Sequence, residues 1–293
     1  MSVDHARQLQ TLPSGQPIVM GILNTTPDSF SDGGRWATVD RAVARAEQML
    51  EHGAHIIDVG GESSRPGADP VDRDVELGRV LPVIERLAGR CVLSIDTQKP
   101  EVAEAALLAG ASIVNDISAS LEEVAGQNRA GSIAMHKKGD PKTMQLDTHY
   151  DDVVAEVSAA FDDYVQRGER AGVEALWVDP GFGFGKSIEH NLALLNAVEE
   201  FAVRAPLMVG ISRKRTIGEL HMWSDKKVIT PSVSEDDRIE GSVMAAVWSW
   251  ARGARIVRTH DVRITALAGQ ILHGHERVVN GQPEAEGQMG PRD

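Results

Sequence analysis

Asp96, Asn115 and Asp179 each stand at or near the end of a short apolar run, where a small polar side chain either caps the next helix or meets a ligand. Together they suit a flat heterocycle with adjacent N–H donors, because one carboxylate accepts two such bonds at once. A second set is cationic. SRK (212–214) and RTHD (258–261) bring Arg213, Lys214, Arg258 and His260 to the ends of the last two apolar runs, as donors for a phosphate or as salt-bridge partners. Loops supply a third set. NTTPDSFSDGG (24–34) is long and polar and carries an aromatic, Phe30, as active-site lids often do. GGESSRPGA (60–68) pairs two glycines, which permit close backbone approach, with the anion donors Ser63, Ser64 and Arg65. DPGFGFGKS (179–187) ends like a P-loop but has Pro180 where that loop needs glycine, so a glycine-rich loop setting Phe182 and Phe184 near a planar ligand is the simpler reading. His136 with His260 lacks a metal-ligand spacing, and His273 with His275 lies close to the C-terminal tail, which argues against a structural zinc site.

These residues need elements to carry them. Short β-branched runs alternate with helical patterns along the chain, the signature of repeated βα units around a parallel sheet. The predicted strands are 18–23, 55–60, 91–96, 112–117, 132–136, 175–180, 207–212 and 255–260. Between them, Val39, Val43, Ala46 and Leu50 recur at helical spacing and stop at Gly53. Pro100 opens a helix through Val102, Ala105 and Ala109. Further helices follow from Val153, Val157, Phe161 and Val165, from Ile188, Leu192, Leu195 and Val198, and from Val243, Val247 and Trp250. Eight strands with intervening helices predict an α/β fold, a (β/α)8 TIM barrel, although a doubly wound open sheet has the same alternation. In a barrel all strand ends point to one face, so the polar ends predict one convergent site.

The 293 residues are 42% hydrophobic, enough for one barrel with a sizeable core. Lys and Arg number 30 against 43 Asp and Glu, a formal net charge of −13, which argues against nucleic acid or an anionic membrane as partner. No apolar run is long enough for a membrane span, and the charged N-terminus does not read as a signal peptide, so a cytoplasmic location is expected. The single cysteine, Cys91, sits in an apolar run and is expected to pack. The expected organisation is an N-terminal extension (1–17), one catalytic domain (18–273) with a long polar loop at 222–237, and a disordered tail (274–293).

MGILNTTPDSFSDGG, DVGGESSRPGA, SIDTQKP, IVNDIS, MHKKGDPKTMQ, DPGFGFGKS, GISRK and RTHDV, spread in order over residues 20–262, resemble the signature segments of the dihydropteroate synthases. The resemblance implies a closed barrel that joins a pterin diphosphate to p-aminobenzoate. It implies a pterin site of Asp96, Asn115, Asp179 and Lys214, walled by Ile117, Met135, Phe184 and Gly210. Asn24, Arg258 and His260 would hold the diphosphate, with Mg2+ bridging Asn24 and the phosphate oxygens. Phe30, Ser64, Arg65 and Pro66 would order two loops over p-aminobenzoate, and Asp96, Lys214, Arg258 and His260 would carry the chemistry. A homodimer is also implied. Departures from the commonest pattern are Thr25 for valine, Ser64 for threonine, Lys137 and Lys138 for Met-Gln, and Arg215 where serine also occurs. Two rivals are pterin-dependent methyltransferases, which have no need of the 24–34 lid or the SRK and RTHD cations, and a paralogue that binds pterin without turnover.

Overall fold

A computed structural model of the chain describes residues 4–26, 35–63, 69–139, 144, 148–224 and 238–279. Among them are eight parallel strands: β1 (Ile18–Asn24), β2 (Ile56–Gly60), β3 (Val92–Asp96), β4 (Ile113–Asp116), β5 (Gly131–Met135), β6 (Ala175–Asp179), β7 (Met208–Val209) and β8 (Ile256–Thr259). They pair in the order β6-β5-β4-β3-β2-β1-β8-β7, and a parallel bridge between Val178 and Leu207 joins β6 to the β7 side. The sheet closes into a (β/α)8 barrel, the alternative that periodicity had left open against an open sheet.

The helices are α1 (His5–Leu9), α2 (Arg35–Glu51), α3 (Arg73–Leu87), α4 (Pro100–Ala109), α5 (Glu122–Gln127), α6 (Val153–Ala171), α7 (Ile188–Asn196), α8 (Val198–Arg204), α9 (Arg215–Ser224), α10 (Ile239–Trp250) and α11 (Val262–Val279). Local chemistry explains their limits. Asp152 caps α6 by accepting from the Val154 and Ala155 amides, and Gly172 ends it in the left-handed region at φ 74°. Pro100 starts α4, where its missing N–H costs nothing.

Strand residues alternate between two cores, which is why the strands are apolar almost throughout. Outward residues such as Val19, Leu23, Ile57, Val59, Leu93, Ile95 and Val114 pack against the helices. Inward residues Ile18, Met20, Ile56, Val92, Ile113, Ile133, Trp177, Met208 and Ile256 fill the lower barrel, joined by Leu9 of α1. At the other end the inward positions turn polar. Register aligns Asn24 with Gly60, Gly60 with Asp96 and Asp96 with Asn115, and paired positions of parallel strands share a face.

Three expectations need correction. The periodicity from Ile188 to Val198 is not one helix; it breaks at Ala197, between α7 and α8. On α10 the buried face is Ser242, Ala245, Ala246, Ser249 and Trp250, while Val243 and Val247 are only half-buried, because small residues let the helix lie close to the barrel. Helix α11 runs past Gly274 to Val279, into the stretch assigned to the tail. Within the expected N-terminal extension, Leu9 and Leu12 pack onto the barrel floor. Cys91 is half-buried against the outer core, and burial pushes its thiol up to about 11, in keeping with packing rather than reactivity.

Candidate active site

The strand ends converge as expected, and their hydrogen bonds define one pocket. Asp96 closes β3 and Arg258 lies in β8. The Arg258 guanidinium donates from Nη2 to Asp96 Oδ2 at 2.6 Å and from Nε to Asp58 Oδ2 at 2.6 Å. Asn115 Nδ2 donates to the same Asp58 oxygen at 3.0 Å, leaving its amide oxygen as an acceptor. Burial opposes the Arg258 charge, but Asp58 and Asp96 offset that and hold its pKa above the ordinary value. Burial pushes Asp96 up to about 7 against the pull of Arg258, with the neighbouring Asp58 adding to the rise.

Across the pocket, Asp179 Oδ1 accepts from the Gly181 amide at 2.8 Å. Its other oxygen faces Gly210, where a Cβ would stand 3.5 Å away, so glycine keeps the gap between β6 and β7 open. Burial raises Asp179, opposed chiefly by Lys214. Burial draws the Lys214 ammonium down to about 8, with Asp179 opposing. Lys214 Nζ donates to the Phe182 carbonyl and lies 4.5 Å from the centroid of the Phe184 ring. Ile117, Met135, Met144 and Phe184 form a separate apolar cluster. A flat ring therefore has an apolar wall on one side and carboxylates, an amide and a lysine at its edges.

His260 Nδ1 lies 3.2 Å from Ser212 Oγ, which also accepts from the His260 amide at 3.2 Å. Asn24 Oδ1 and Asp96 Oδ2 both lie 3.7 Å from where a Cβ on Gly60 would stand, so glycine leaves clear space between two hard oxygen donors. That donor set fits Mg2+, which keeps several waters and takes one or two protein oxygens beside substrate phosphates. Among the described residues, no group of three or more His, Cys, Asp or Glu side chains is arranged to hold a metal by itself.

For two residues the structure favours the structural reading. Arg213 Nε donates to Asp261 Oδ2 at 2.9 Å, so this cation braces the β7 exit against the β8 exit. Phe182 is fully buried in the outer core and Phe184 reaches the pocket wall, with Gly183 between them at a positive φ of 80° turning the backbone. Phe30, Ser64, Arg65 and Pro66 lie outside the described residues, as do 225–237 of the polar loop. Sequence reasoning missed Asp58 and Met144. Asp58 was legible in principle, as a charged residue inside the apolar run HIIDVG. Met144, fully buried, sits in MHKKGDPKTMQ with no periodicity to mark it.

Barrel and pocket together define an enzyme for a flat, nitrogen-rich heterocycle that carries an anionic arm. Residues 20–260 match the family described as pterin binding enzyme. The dihydropteroate synthase of Escherichia coli (strain K12) is 45% identical over 271 residues, covering 89% of this chain and 93% of that one. A Yersinia pestis dihydropteroate synthase solved with a sulfonamide drug complex superposes with a TM-score of 0.81 at 41% identity, covering 90% of this chain and 96% of that one. The Xanthomonas albilineans enzyme with 4-aminobenzoic acid gives 0.79 at 41% identity, over 92% and 95% of the two chains. The chain belongs to the dihydropteroate synthases, within the pterin-binding enzymes.

Proposed function

We propose that this chain condenses 6-hydroxymethyl-7,8-dihydropterin diphosphate with p-aminobenzoate, giving 7,8-dihydropteroate and diphosphate for folate synthesis. The carrying observation is the pocket that gathers Asp96, Asn115, Asp179, Lys214 and Arg258 from five strand ends beside one apolar wall. Asp96, Asn115, Asp179 and Lys214 would bind the ring edges, with Ile117, Met135, Phe184 and Gly210 as walls. Arg258 has five N–H donors, of which Asp58 and Asp96 occupy two, so the rest remain for the diphosphate with His260 and Asn24. Phe30, Ser64, Arg65 and Pro66 would order the loops over p-aminobenzoate.

The exocyclic C–O bond breaks as the ring nitrogens release electron density into the methylene carbon, and the bonding pair leaves with diphosphate. Arg258 and His260 stabilise the charge growing on the departing oxygens. Asn24 would hold Mg2+, which when bound would supply further charge neutralisation of the phosphates. The Asp96 carboxylate offsets the positive charge on the methylene, the arylamine nitrogen attacks that carbon, and the surplus proton passes to solvent. Excluding water from the closed site protects the cation from hydrolysis.

The α10 side chains Met244 and Trp248 and the α11 side chains Ile264, Leu267 and Ile271 are exposed on two helices that pack together. This apolar face supports a homodimer. No described helix is long and apolar enough to cross a membrane, and with the acidic composition this supports a cytoplasmic site of action. The deciding experiment mixes purified protein, Mg2+, the pterin diphosphate and p-aminobenzoate, then quantifies dihydropteroate and released diphosphate. Stoichiometric products are expected. Folded protein that binds the pterin but forms neither product would be the non-catalytic paralogue.

A further inference from the structure

We propose that Lys186, the lysine of the glycine-rich loop after β6, is a positioning residue that sets the pterin wall by acting as a built-in cation beneath that loop. The inference rests on the pterin reading of the pocket. Loop 180–187 joins Asp179 to the capping box of α7, where Ser187 accepts from the His190 amide at 3.2 Å. Gly181, Gly183 and Gly185 take positive φ of 66°, 80° and 65°. A Cβ on Gly181 would stand 1.9 Å from the His136 carbonyl oxygen, and one on Gly185 would stand 2.4 Å from that of Lys138. The loop thus lies backbone against backbone on the segment leaving β5.

Such close approach crowds carbonyl dipoles, and Lys186 sits where they meet. Its Nζ lies 3.0 Å from His136 Nδ1, 3.2 Å from the His136 carbonyl, 3.1 Å from the Gly181 carbonyl and 3.1 Å from the Phe184 carbonyl. The residue is 3% exposed. Burial and the nearby ammonium push His136 down to about 3, so the imidazole is neutral and can offer Nδ1 as an acceptor. Burial draws Lys186 itself down to about 7 with Asp179 opposing, while three carbonyls and an imidazole nitrogen within 3.2 Å favour the protonated form and replace the water that burial removes.

The pocket side of the same loop carries its binding features. The Gly181 amide orients Asp179, the Phe182 carbonyl accepts from Lys214, and the Phe184 ring completes the apolar wall. Lys186 ties both Gly181 and Phe184 to β5, which itself contributes Met135 to that wall. Losing the ammonium leaves the carbonyls opposed, and the loop must lift. The affected property is the fit of the heterocycle, not capture of the arylamine.

The test is Lys186→Met in the full chain, compared with wild type for both KM values, for thermal midpoint, and for calorimetric binding of unreactive 6-hydroxymethylpterin. We expect KM for the pterin diphosphate to rise at least tenfold, pterin binding to weaken in parallel, and KM for p-aminobenzoate to stay within twofold. His136→Leu, which removes one acceptor and keeps the backbone carbonyl, is expected to shift the same pterin parameters less. It decides the matter if Lys186→Met does not fold. A lowered thermal midpoint with unaltered pterin affinity in the folding variants, or equal change in both KM values, overturns the proposal. Wild type that makes no dihydropteroate would instead overturn the proposed function, and the calorimetric comparison would still judge Lys186.

Discussion

Arg258 stands 2.6 Å from both Asp58 and Asp96, so its guanidinium is oriented before any phosphate arrives. Preorganised charge of this kind needs no rearrangement when the leaving group departs. Arg258→Ala should cut kcat/KM for the pterin diphosphate by roughly 10²-fold or more, and steady-state kinetics indistinguishable from wild type would remove Arg258 from the site. Asp96 is expected to set the acid limb. Because burial lifts it to about 7, turnover should fall as pH drops through that region, where protonation removes the charge that offsets the methylene cation. Asp58→Asn removes a neighbouring negative charge that raises Asp96 and leaves Arg258 to pair with Asp96 alone. Both effects lower the Asp96 pKa, so the limb should move to lower pH in a kcat/KM profile, and an unmoved limb would assign it to another group. The same shift acts on stability with a definite sign. Between about 4 and about 7 the folded state holds the Asp96 proton and the unfolded chain does not, so this group's contribution declines as pH rises across that window.

Among elements, the exits of β2 and β3 are tied to α3 by a half-buried ion cluster. Glu62 accepts from the Val71 amide at 3.1 Å and from Gln98 Nε2 at 3.2 Å, and it pairs with Lys99. Lys99 Nζ also meets Glu76 at 2.6 Å, and that carboxylate is fully buried in α3. Glu62 therefore pins both ends of the stretch that carries Ser64, Arg65 and Pro66. Lys99→Met strands the Glu76 charge and should destabilise the fold by about 3 kcal/mol. It should also raise KM for p-aminobenzoate more than KM for the pterin diphosphate. Urea unfolding together with the two KM values checks this; a stability loss under about 1 kcal/mol would show that Glu76 finds other solvation. Thr25 acts similarly on the neighbouring exit, its hydroxyl donating to the Gly60 carbonyl at 3.0 Å.

At the scale of the molecule, polarity divides along the barrel axis. The lower interior is closed by isoleucines, Met20, Trp177 and Leu9, and the upper interior carries the buried Asp58, Asp96, Asn115 and Asp179. A chain with formal net charge −13 can thus hold an anionic substrate only through cations concentrated at one mouth. The exposed apolar face of α10 and α11 gives the last prediction. Wild type should scatter light as twice 31.6 kDa, and the pair Leu267→Glu with Ile271→Glu should scatter as a monomer. A wild type already monomeric at working concentration would leave that face without the proposed role.

The order of βα units was legible from the chain because both faces of each strand are buried, which writes apolar runs of fixed length into the sequence. Asp96, Asn115, Asp179, Lys214 and Arg258 were legible because polar residues at the ends of such runs break a local rule. Which cation turns into the pocket and which braces the frame was not. Arg213 and Arg258 look alike in sequence, yet one faces Asp261 and the other faces Asp58 and Asp96, carboxylates far away along the chain. Asp58, Met144 and Lys186 escaped for the same reason. Their roles come from contacts between strands and loops brought together only by barrel closure, and no periodicity within a single segment encodes such a meeting.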